Sequence, residues 1–250
     1  MSRDVISIEA CGSTAWSACT RASATACSRS KVSVRMGLDT RRAGATERLG
    51  DTVDYAATAN QIAFLLRSCR FHMLETAARA LARLLARAAR AGGAAGAHPG
   101  AHAAAREALR ARGARRALAR DPPRARDVTL AHEHKPFGTV DVIEETRHVG
   151  IYRLNLAPGR GIPLHVHKTM QESEMILGDG LLCQGKPVAA GTMFRWPKDA
   201  PHRYDNPTDR WQSILCVDSP PFLPEDEIEV EGSPAEVKPL PPFIPVPVPS

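Results

Sequence analysis

Several common patterns are missing from this sequence, and each absence excludes a class of protein. The six cysteines include no CxxC pair, which excludes a zinc knuckle and a thioredoxin-type redox motif. No apolar run approaches the roughly 20 residues that a membrane-spanning helix needs. The first residues, MSRDVISIEA, lack the apolar core of a signal peptide. We therefore expect a cytoplasmic protein with reduced thiols and no membrane partner.

The chain has 250 residues, which is enough for one large domain or two ordinary ones. Its charge is distributed unevenly between the two halves. Residues 1–127 contain 22 Lys and Arg against 10 Asp and Glu, whereas residues 128–250 contain 11 against 17. Ten of the arginines lie in residues 87–126, which contain 16 alanines but no lysine and no β-branched residue. No aromatic residue lies among these arginines, whereas proteins that bind single-stranded nucleic acid stack the bases on aromatic side chains. We therefore expect no nucleic-acid partner.

Hydrophobic periodicity in the first 86 residues predicts the order β-β-α-α. DVISIEA and KVSVRMGLD alternate as strands do, with Val32, Val34 and Met36 on one face. A helix is predicted after an N-cap at Asp51 or Thr52, with its inward side chains at helical spacing. These side chains are Tyr55, Ala59, Ile62, Leu65 and Leu66. A second helix follows, with Leu74, Leu81, Leu84 and Leu85 inward.

The remaining sequence divides into three segments of different composition. Residues 87–127 form an Ala/Arg/Gly-rich linker that we expect to be helical or disordered, because its apolar face is mostly alanine. Residues 128–225 contain short alternating runs separated by Gly and Pro, which is typical of an antiparallel β-sandwich or barrel. Residues 226–250 end in PLPPFIPVPVPS and predict a Pro-rich extended tail.

The β-rich segment contains a histidine pattern that predicts a metal site. His165 and His167 are two residues apart, so on a strand both side chains share one face. Glu172 and Glu174 share a face in the same way, and His202 follows a later turn. Three imidazoles and a carboxylate that converge inside a β-barrel would bind a divalent transition metal and leave positions for water or substrate. Either glutamate is a candidate ligand on this reasoning.

These residues stand in two motifs that resemble those of the cupin family, over about residues 135–220. Gly159, five residues, His165-Val166-His167, four residues and Glu172 resemble the first motif. Gly191, five residues, Pro197-Lys198-Asp199, two residues, His202, three residues and Asn206 resemble the second. Two motif glycines are replaced, by Asp179 and Asp199, at turns where Asp is tolerated.

The cupin resemblance implies a double-stranded β-helix barrel that holds Fe, Mn, Ni or Zn. The metal ligands it implies are His165, His167, Glu172 and His202. Arg160 at the mouth is a candidate for holding an anionic substrate, although a solvated role is the simpler interpretation.

The stretch RLGDTVDYAATANQIAFLLRSCRFHMLETAARALARLL resembles dihydroneopterin aldolase. That family has a β-β-α-α-β-β unit, forms tunnel-shaped oligomers and cleaves a dihydropterin side chain, so the resemblance implies a homo-oligomer with a pterin substrate. TVDY places Tyr55 as the active-site tyrosine, and FHMLE places Glu75 as the pterin-anchoring carboxylate, with Leu74 offering backbone groups beside it. A carboxylate suits this place because it accepts two parallel hydrogen bonds.

Two expected parts of the aldolase are missing from the sequence. Residues 11–30, where the family has a loop glutamate, contain no carboxylate, and residues 87–126, where it has a Lys-Pro pair, contain no lysine. Our hypothesis is that both segments are read from a shifted frame of a GC-rich gene; a diverged domain is the alternative. In either case we expect a poor aldolase.

Taken together, these patterns predict an α+β chain. An incomplete ββαα unit at residues 1–86 precedes the low-complexity linker, an all-β cupin barrel and the tail. The predicted function is an impaired pterin lyase domain of folate-type metabolism fused to a metal-binding cupin. One alternative is a cupin dioxygenase or isomerase as the sole activity, and the other is a non-catalytic cupin that binds a small molecule.

Overall fold

A computed structural model of the chain describes residues 4–9, 32–69, 71–91, 110–111 and 130–241. These residues form two compact units, and the second contains all of the described chain from Leu130 onward. Within the described ranges no helix has the length and apolar character that spanning a membrane requires. The predicted order is confirmed: two strands and helices come first, and antiparallel β structure follows.

The N-terminal unit begins with an antiparallel pair of strands. Strand β1 (Asp4–Glu9) pairs with β2 (Val32–Leu38), in which Val34 and Met36 are both buried, as their alternation predicts. A short helix, α1 (Arg41–Thr46), and a 3-10 turn (Leu49–Asp51) follow.

Two longer helices, α2 (Tyr55–Ser68) and α3 (Leu74–Ala91), complete the described helical part. The prediction that Asp51 or Thr52 caps α2 is wrong: Asp54 Oδ1 accepts a hydrogen bond of 2.9 Å from the Ala57 N–H. Tyr55 was predicted to face inward, but it is the first residue of α2 and its side chain is 62% exposed.

Helix α3 buries one stripe of side chains along its length. The buried members recur at helical spacing, as expected for an amphipathic helix. They are Ala77, Ala80, Leu81, Leu84, Leu85 and Ala86. The helix continues to Ala91, five residues into the predicted linker.

Two residues of the predicted linker are also described, and they form strand β3 (Arg110–Ala111) against β2. The rest of the linker, and residues 11–30, lie outside the described residues.

The C-terminal unit contains two antiparallel sheets. The strands are β4 (Ala131–Lys135), β5 (Gly138–Glu145), β6 (Gly150–Leu156), β7 (Gly161–Val166), β8 (Gln171–Ile176), β9 (Leu182–Cys183), β10 (Lys186–Pro187), β11 (Met193–Trp196), β12 (His202–Asp205), β13 (Gln212–Ser219) and β14 (Ile228–Glu229). One sheet has the order β11-β8-β13-β6-β5-β4, and the other has the order β10-β9-β12-β7-β14.

Side chains from both sheets form one hydrophobic core. Phe137, Leu156 and Trp196 come from the six-stranded sheet and its turns, and Ile162 and Tyr204 come from the five-stranded sheet. Since all five are less than a tenth exposed, the two sheets pack face to face. The histidines and glutamates of the predicted site lie on these strands, except His167, which directly follows β7.

The turns that open the two histidine motifs require unusual backbone conformations. Gly159 and Gly191 have φ of 68° and 83°, which glycine adopts without a Cβ penalty. Asp199, which replaces a motif glycine, has φ of 61°, and Asp is among the few side chains that tolerate this region. The other replacement, Asp179, accepts the Ala190 N–H at 2.8 Å. Both substitutions therefore fit their turns.

The predicted Pro-rich tail differs from the structure in its first part. Ile228 and Glu229 pair with β7 as strand β14, and Leu240 forms a bridge with Met193. The expected boundary at residue 225 therefore falls inside the C-terminal unit, because residues as far as Leu240 hydrogen-bond to its strands. Residues 242–250 lie outside the described part of the chain.

Candidate metal centre

Two adjacent strands of the five-stranded sheet and one strand of the six-stranded sheet bring the predicted ligands together. His165 on β7 is the register partner of His202, the first residue of β12. His167 directly follows the end of β7, and Glu172 lies on β8 after a short turn. The Asp199 N–H donates to the His167 carbonyl at 2.8 Å, which holds the turn before His202 close to the first motif.

Each of the three imidazoles donates its Nδ1–H to a backbone carbonyl. A carbonyl only accepts, so these contacts fix the tautomer with the proton on Nδ1. His165 donates to Pro163 at 2.8 Å, His167 to Asp226 at 3.1 Å and His202 to Ala200 at 3.0 Å. Nε2 is then the ring nitrogen that remains for a metal ion: in the metal-free protein Nε2–H of His167 and His202 donates to Glu172, and a bound ion would take the place of that proton. The same use of Nδ1–H orients histidine ligands in metalloproteins.

The four predicted ligands form a compact buried cluster. One donor atom from each of His165, His167, Glu172 and His202 lies within 4.8 Å of every other. Glu172 Oε2 is 2.9 Å from His202 Nε2 and 3.3 Å from His167 Nε2. All four side chains are at most 7% exposed. A three-imidazole, one-carboxylate set at this spacing fits a divalent transition metal.

Electrostatics in the cluster separate the pKa values of its members. Burial, together with the charge of the neighbouring His202, lowers the pKa of His165 to about 4. Burial also acts to lower the pKa of His167, but the Glu172 carboxylate outweighs it and raises the value to about 9. Burial acts to raise the pKa of Glu172, yet hydrogen bonds from His167 and His202 hold it well below its usual range. The carboxylate is therefore ionised, as a metal ligand must be.

The second oxygen of Glu172 is held by residues that the sequence analysis did not single out. The Cys216 thiol lies 3.2 Å from Glu172 Oε1 and 3.0 Å from Asp218 Oδ1. Burial and the nearby Glu172 charge raise the pKa of Asp218 well above its ordinary value. The alternation of Cys216 and Asp218 on β13 was a usable signal, since both side chains share the inward face.

Glu174, the alternative carboxylate, has a different environment. It is not a member of the four-residue cluster. Its Oε2 accepts hydrogen bonds from Trp196 Nε1–H and from the Tyr204 hydroxyl. Burial, together with the charge of Glu172, raises the pKa of Glu174 to about 7. Glu174 therefore lines the interior of the unit beside the cluster.

Other side chains near the predicted site serve packing and turns. Met193, Phe194 and Trp196 are each at most 4% exposed and belong to the core. Asn206 Nδ2 donates to the carbonyls of Leu156, Ala157 and Arg210, so Asn206 joins two loops. Arg160 is exposed, and nothing in the structure assigns it a ligand.

The predicted pterin-binding residues lie at the starts of the two long helices. Tyr55 is the first residue of α2, and Leu74 and Glu75 are the first two residues of α3. Both Tyr55 and Glu75 have exposed side chains, so both are accessible to a ligand. A carboxylate in the first turn also favours the helix dipole. The pterin site formed by these residues remains a prediction.

Comparison with known proteins gives a different result for each part of the chain. Residues 25–95 match the family model described as FolB, dihydroneopterin aldolase. A search of curated proteins finds no match.

The solved structures that resemble this chain include cupin-type proteins. One is a sugar phosphate isomerase from a cupin superfamily of Silicibacter pomeroyi, with 18% identity over 36% of this chain and 71% of that chain and a TM-score of 0.33. Another is an uncharacterized protein with a double-stranded β-helix domain from Klebsiella pneumoniae, with 20% identity over 32% and 69% and a TM-score of 0.29. A third is KdgF from Halomonas sp., with 13% identity over 35% and 83% and a TM-score of 0.31. The chain thus combines a segment that matches the dihydroneopterin aldolase family model with a C-terminal β region that is similar to cupin-type proteins.

Proposed function

We propose that the C-terminal unit binds one divalent transition metal ion through His165, His167, Glu172 and His202. The observation that carries the proposal is the shared tautomer of the three imidazoles. Each Nδ1–H is used by a backbone carbonyl, so each Nε2 is left to coordinate, and the three rings meet at one ionised carboxylate. Imidazole and carboxylate donors suit Fe(II), Mn(II), Ni(II) and Zn(II).

A metal ion held here would supply Lewis-acid chemistry to a small molecule bound beside it. Glu172 and the three imidazoles would fix the coordination geometry of the ion. The buried side chains around them would exclude water. Glu174 would offer a buried carboxyl group next to the ligands, tied to Trp196 and Tyr204. A metal-dependent enzyme and a non-catalytic small-molecule binder are both compatible with this arrangement.

For the N-terminal part, we propose that Tyr55, Leu74 and Glu75 bind a pterin without efficient turnover. The match of residues 25–95 to the aldolase family model supports the binding. The lack of a lysine in residues 87–126 and of a carboxylate in residues 11–30 argues against turnover. Titration of a pterin into the protein, with glycolaldehyde release as the readout of turnover, tests both halves of this proposal. Rapid release of glycolaldehyde would contradict it.

Metal binding is tested by titrating Zn(II) and Mn(II) into the metal-free full chain by calorimetry. Wild type should bind one ion, and His167→Gln should bind far more weakly. His134→Gln is a matched control, because His132 and His134 also alternate on a strand, but His132 contacts Asp141 and His134 is exposed. The proposal fails if wild type binds nothing, or if His134→Gln and His167→Gln weaken binding equally.

A further inference from the structure

The segment from Pro224 to residue 241 contacts strand β7 and the turn that precedes His202. Glu229 on β14 is the register partner of His165, and the Val230 N–H donates to the Leu164 carbonyl at 3.0 Å. The Ala235 N–H donates at 2.8 Å to the carbonyl of Pro201, the residue before His202. A segment that the sequence analysis assigned to a tail is therefore attached to each motif.

Asp226 makes the most concentrated set of these contacts. Its carboxylate accepts the backbone N–H groups of three successive residues: Lys168 at 3.1 Å, Thr169 at 2.9 and 3.0 Å, and Met170 at 2.8 Å. Its backbone carbonyl accepts the Nδ1–H of His167 at 3.1 Å. One residue, only 5% exposed, thus holds the whole turn that joins two candidate ligands, His167 and Glu172.

The three imidazoles differ in the origin of the carbonyl that orients them. His165 and His202 each use a carbonyl two residues earlier in their own chain segment. His167 uses a carbonyl 59 residues away in sequence. The tautomer and ring orientation of His167 therefore depend on the C-terminal segment, whereas those of the other two imidazoles are set locally.

We propose that Asp226 is a positioning residue for the metal centre. It acts through His167 and through the turn at residues 168–170, and it is not itself a ligand. This inference rests on the proposed metal binding. It extends the functional unit beyond the motif region, so that residues 224–230 belong to the site, and it predicts that metal affinity depends on a residue outside both histidine motifs.

The test uses Co(II), whose visible absorption reports coordination geometry, and the metal-free full chain. Asp226→Asn keeps the size of the side chain but replaces one acceptor oxygen by an NH₂ group, which faces backbone donors. We expect Co(II) affinity to fall by about 10- to 100-fold, the usual effect of losing a group that orients a ligand, and the visible bands to shift. Glu225→Gln is the matched control, because Glu225 is the exposed neighbour in the same turn.

Asp226→Glu restores a carboxylate on a longer stem and should recover part of the affinity and of the spectrum. It also carries the test if Asp226→Asn does not fold. A variant that lowers the melting temperature of the metal-free protein but keeps the wild-type affinity and spectrum would show a purely structural role and overturn the inference. A wild type that binds Co(II), with Asp226→Asn indistinguishable from it, removes this inference alone. If Asp226→Asn does not fold, an Asp226→Glu variant indistinguishable from wild type has the same consequence. A wild type that takes up no Co(II) removes the proposed function as well.

Discussion

The indole ring of Trp196 lies parallel to the imidazole of His202, with ring centroids 4.4 Å apart and 9° between the planes. Phe194 stacks on Trp196 in turn, at 5.1 Å and 15°. The indole N–H donates to Glu174, so the ring is fixed both by stacking and by a hydrogen bond. Trp196 therefore limits the positions that the His202 ring can occupy.

Trp196→Ala should destabilise the protein strongly, because it removes a side chain that is only 2% exposed and deprives Glu174 of a donor. We expect the free energy of unfolding to fall by about 3 to 5 kcal/mol, measured by urea denaturation of the metal-free protein. The control is Trp211→Ala, since Trp211 is 56% exposed and should change stability by only about 0.5 kcal/mol. Equal losses in both variants would contradict this role for Trp196.

Asn206→Ala should destabilise the C-terminal unit through its loops. The Asn206 amide donates to three carbonyls, and its Oδ1 accepts from the Thr208 N–H and hydroxyl. Buried groups that lose their partners cost roughly 1 to 3 kcal/mol each, so we expect a loss of at least about 2 kcal/mol in urea unfolding. Asn206→Asp keeps the acceptor and loses the donors, and it should be nearly as destabilising. A neutral Asn206→Asp would show that the donated bonds matter little.

The four metal-ligand candidates could be predicted from the sequence because their chemistry follows local rules. Residues two apart on a strand share a face, so His165 and His167 were identifiable without a structure. The same rule left Glu172 and Glu174 equally open, and the resemblance to the first cupin motif favoured Glu172. Asp226 was not identifiable from the sequence, because the residues that it contacts lie 56 to 59 positions earlier in the chain. The sequence around it is also rich in proline, which predicts an extended tail. A contact between two residues that are far apart in the sequence produces no periodic pattern of residue types in either segment.

Helix boundaries show a second limit of the sequence patterns. Tyr55 falls on the predicted inward stripe of α2, yet it begins the helix, where no preceding turn covers it, and it is exposed. Asp54, Asp51 and Thr52 are all residue types that cap helices, so composition alone did not distinguish them. The Asp54 contact with the Ala57 N–H decides the boundary.

Metal affinity should rise with pH between about pH 6 and 9. In the metal-free protein Glu172 raises the pKa of His167 to about 9, so this imidazole carries a proton at neutral pH that a metal ion must displace. His165, with a pKa lowered to about 4, carries none. Calorimetry in buffers of different ionisation enthalpy should therefore detect proton release at pH 7. Binding without proton release, or with an affinity independent of pH, would contradict the assignment of His167 as a ligand.

Glu75→Gln should weaken pterin binding, because the amide has one acceptor oxygen and an NH₂ donor where the carboxylate has two acceptor oxygens for two parallel hydrogen bonds. Hydrogen bonds to charged groups contribute about 1.5 to 3 kcal/mol, so we expect the dissociation constant to rise about tenfold or more in a fluorescence titration. Glu47→Gln changes another exposed carboxylate of the N-terminal unit and should have no effect. Equal affinity of wild type and Glu75→Gln would remove Glu75 from the proposed site.

The most direct test of the metal centre is anomalous diffraction from crystals of the metal-loaded protein, recorded at the absorption edge of the added metal. The account predicts one strong anomalous peak about 2.0 to 2.3 Å from Nε2 of His165, His167 and His202 and from a Glu172 carboxylate oxygen. The absence of a peak at this position, or a peak bound through Nδ1 atoms, would contradict the central claim.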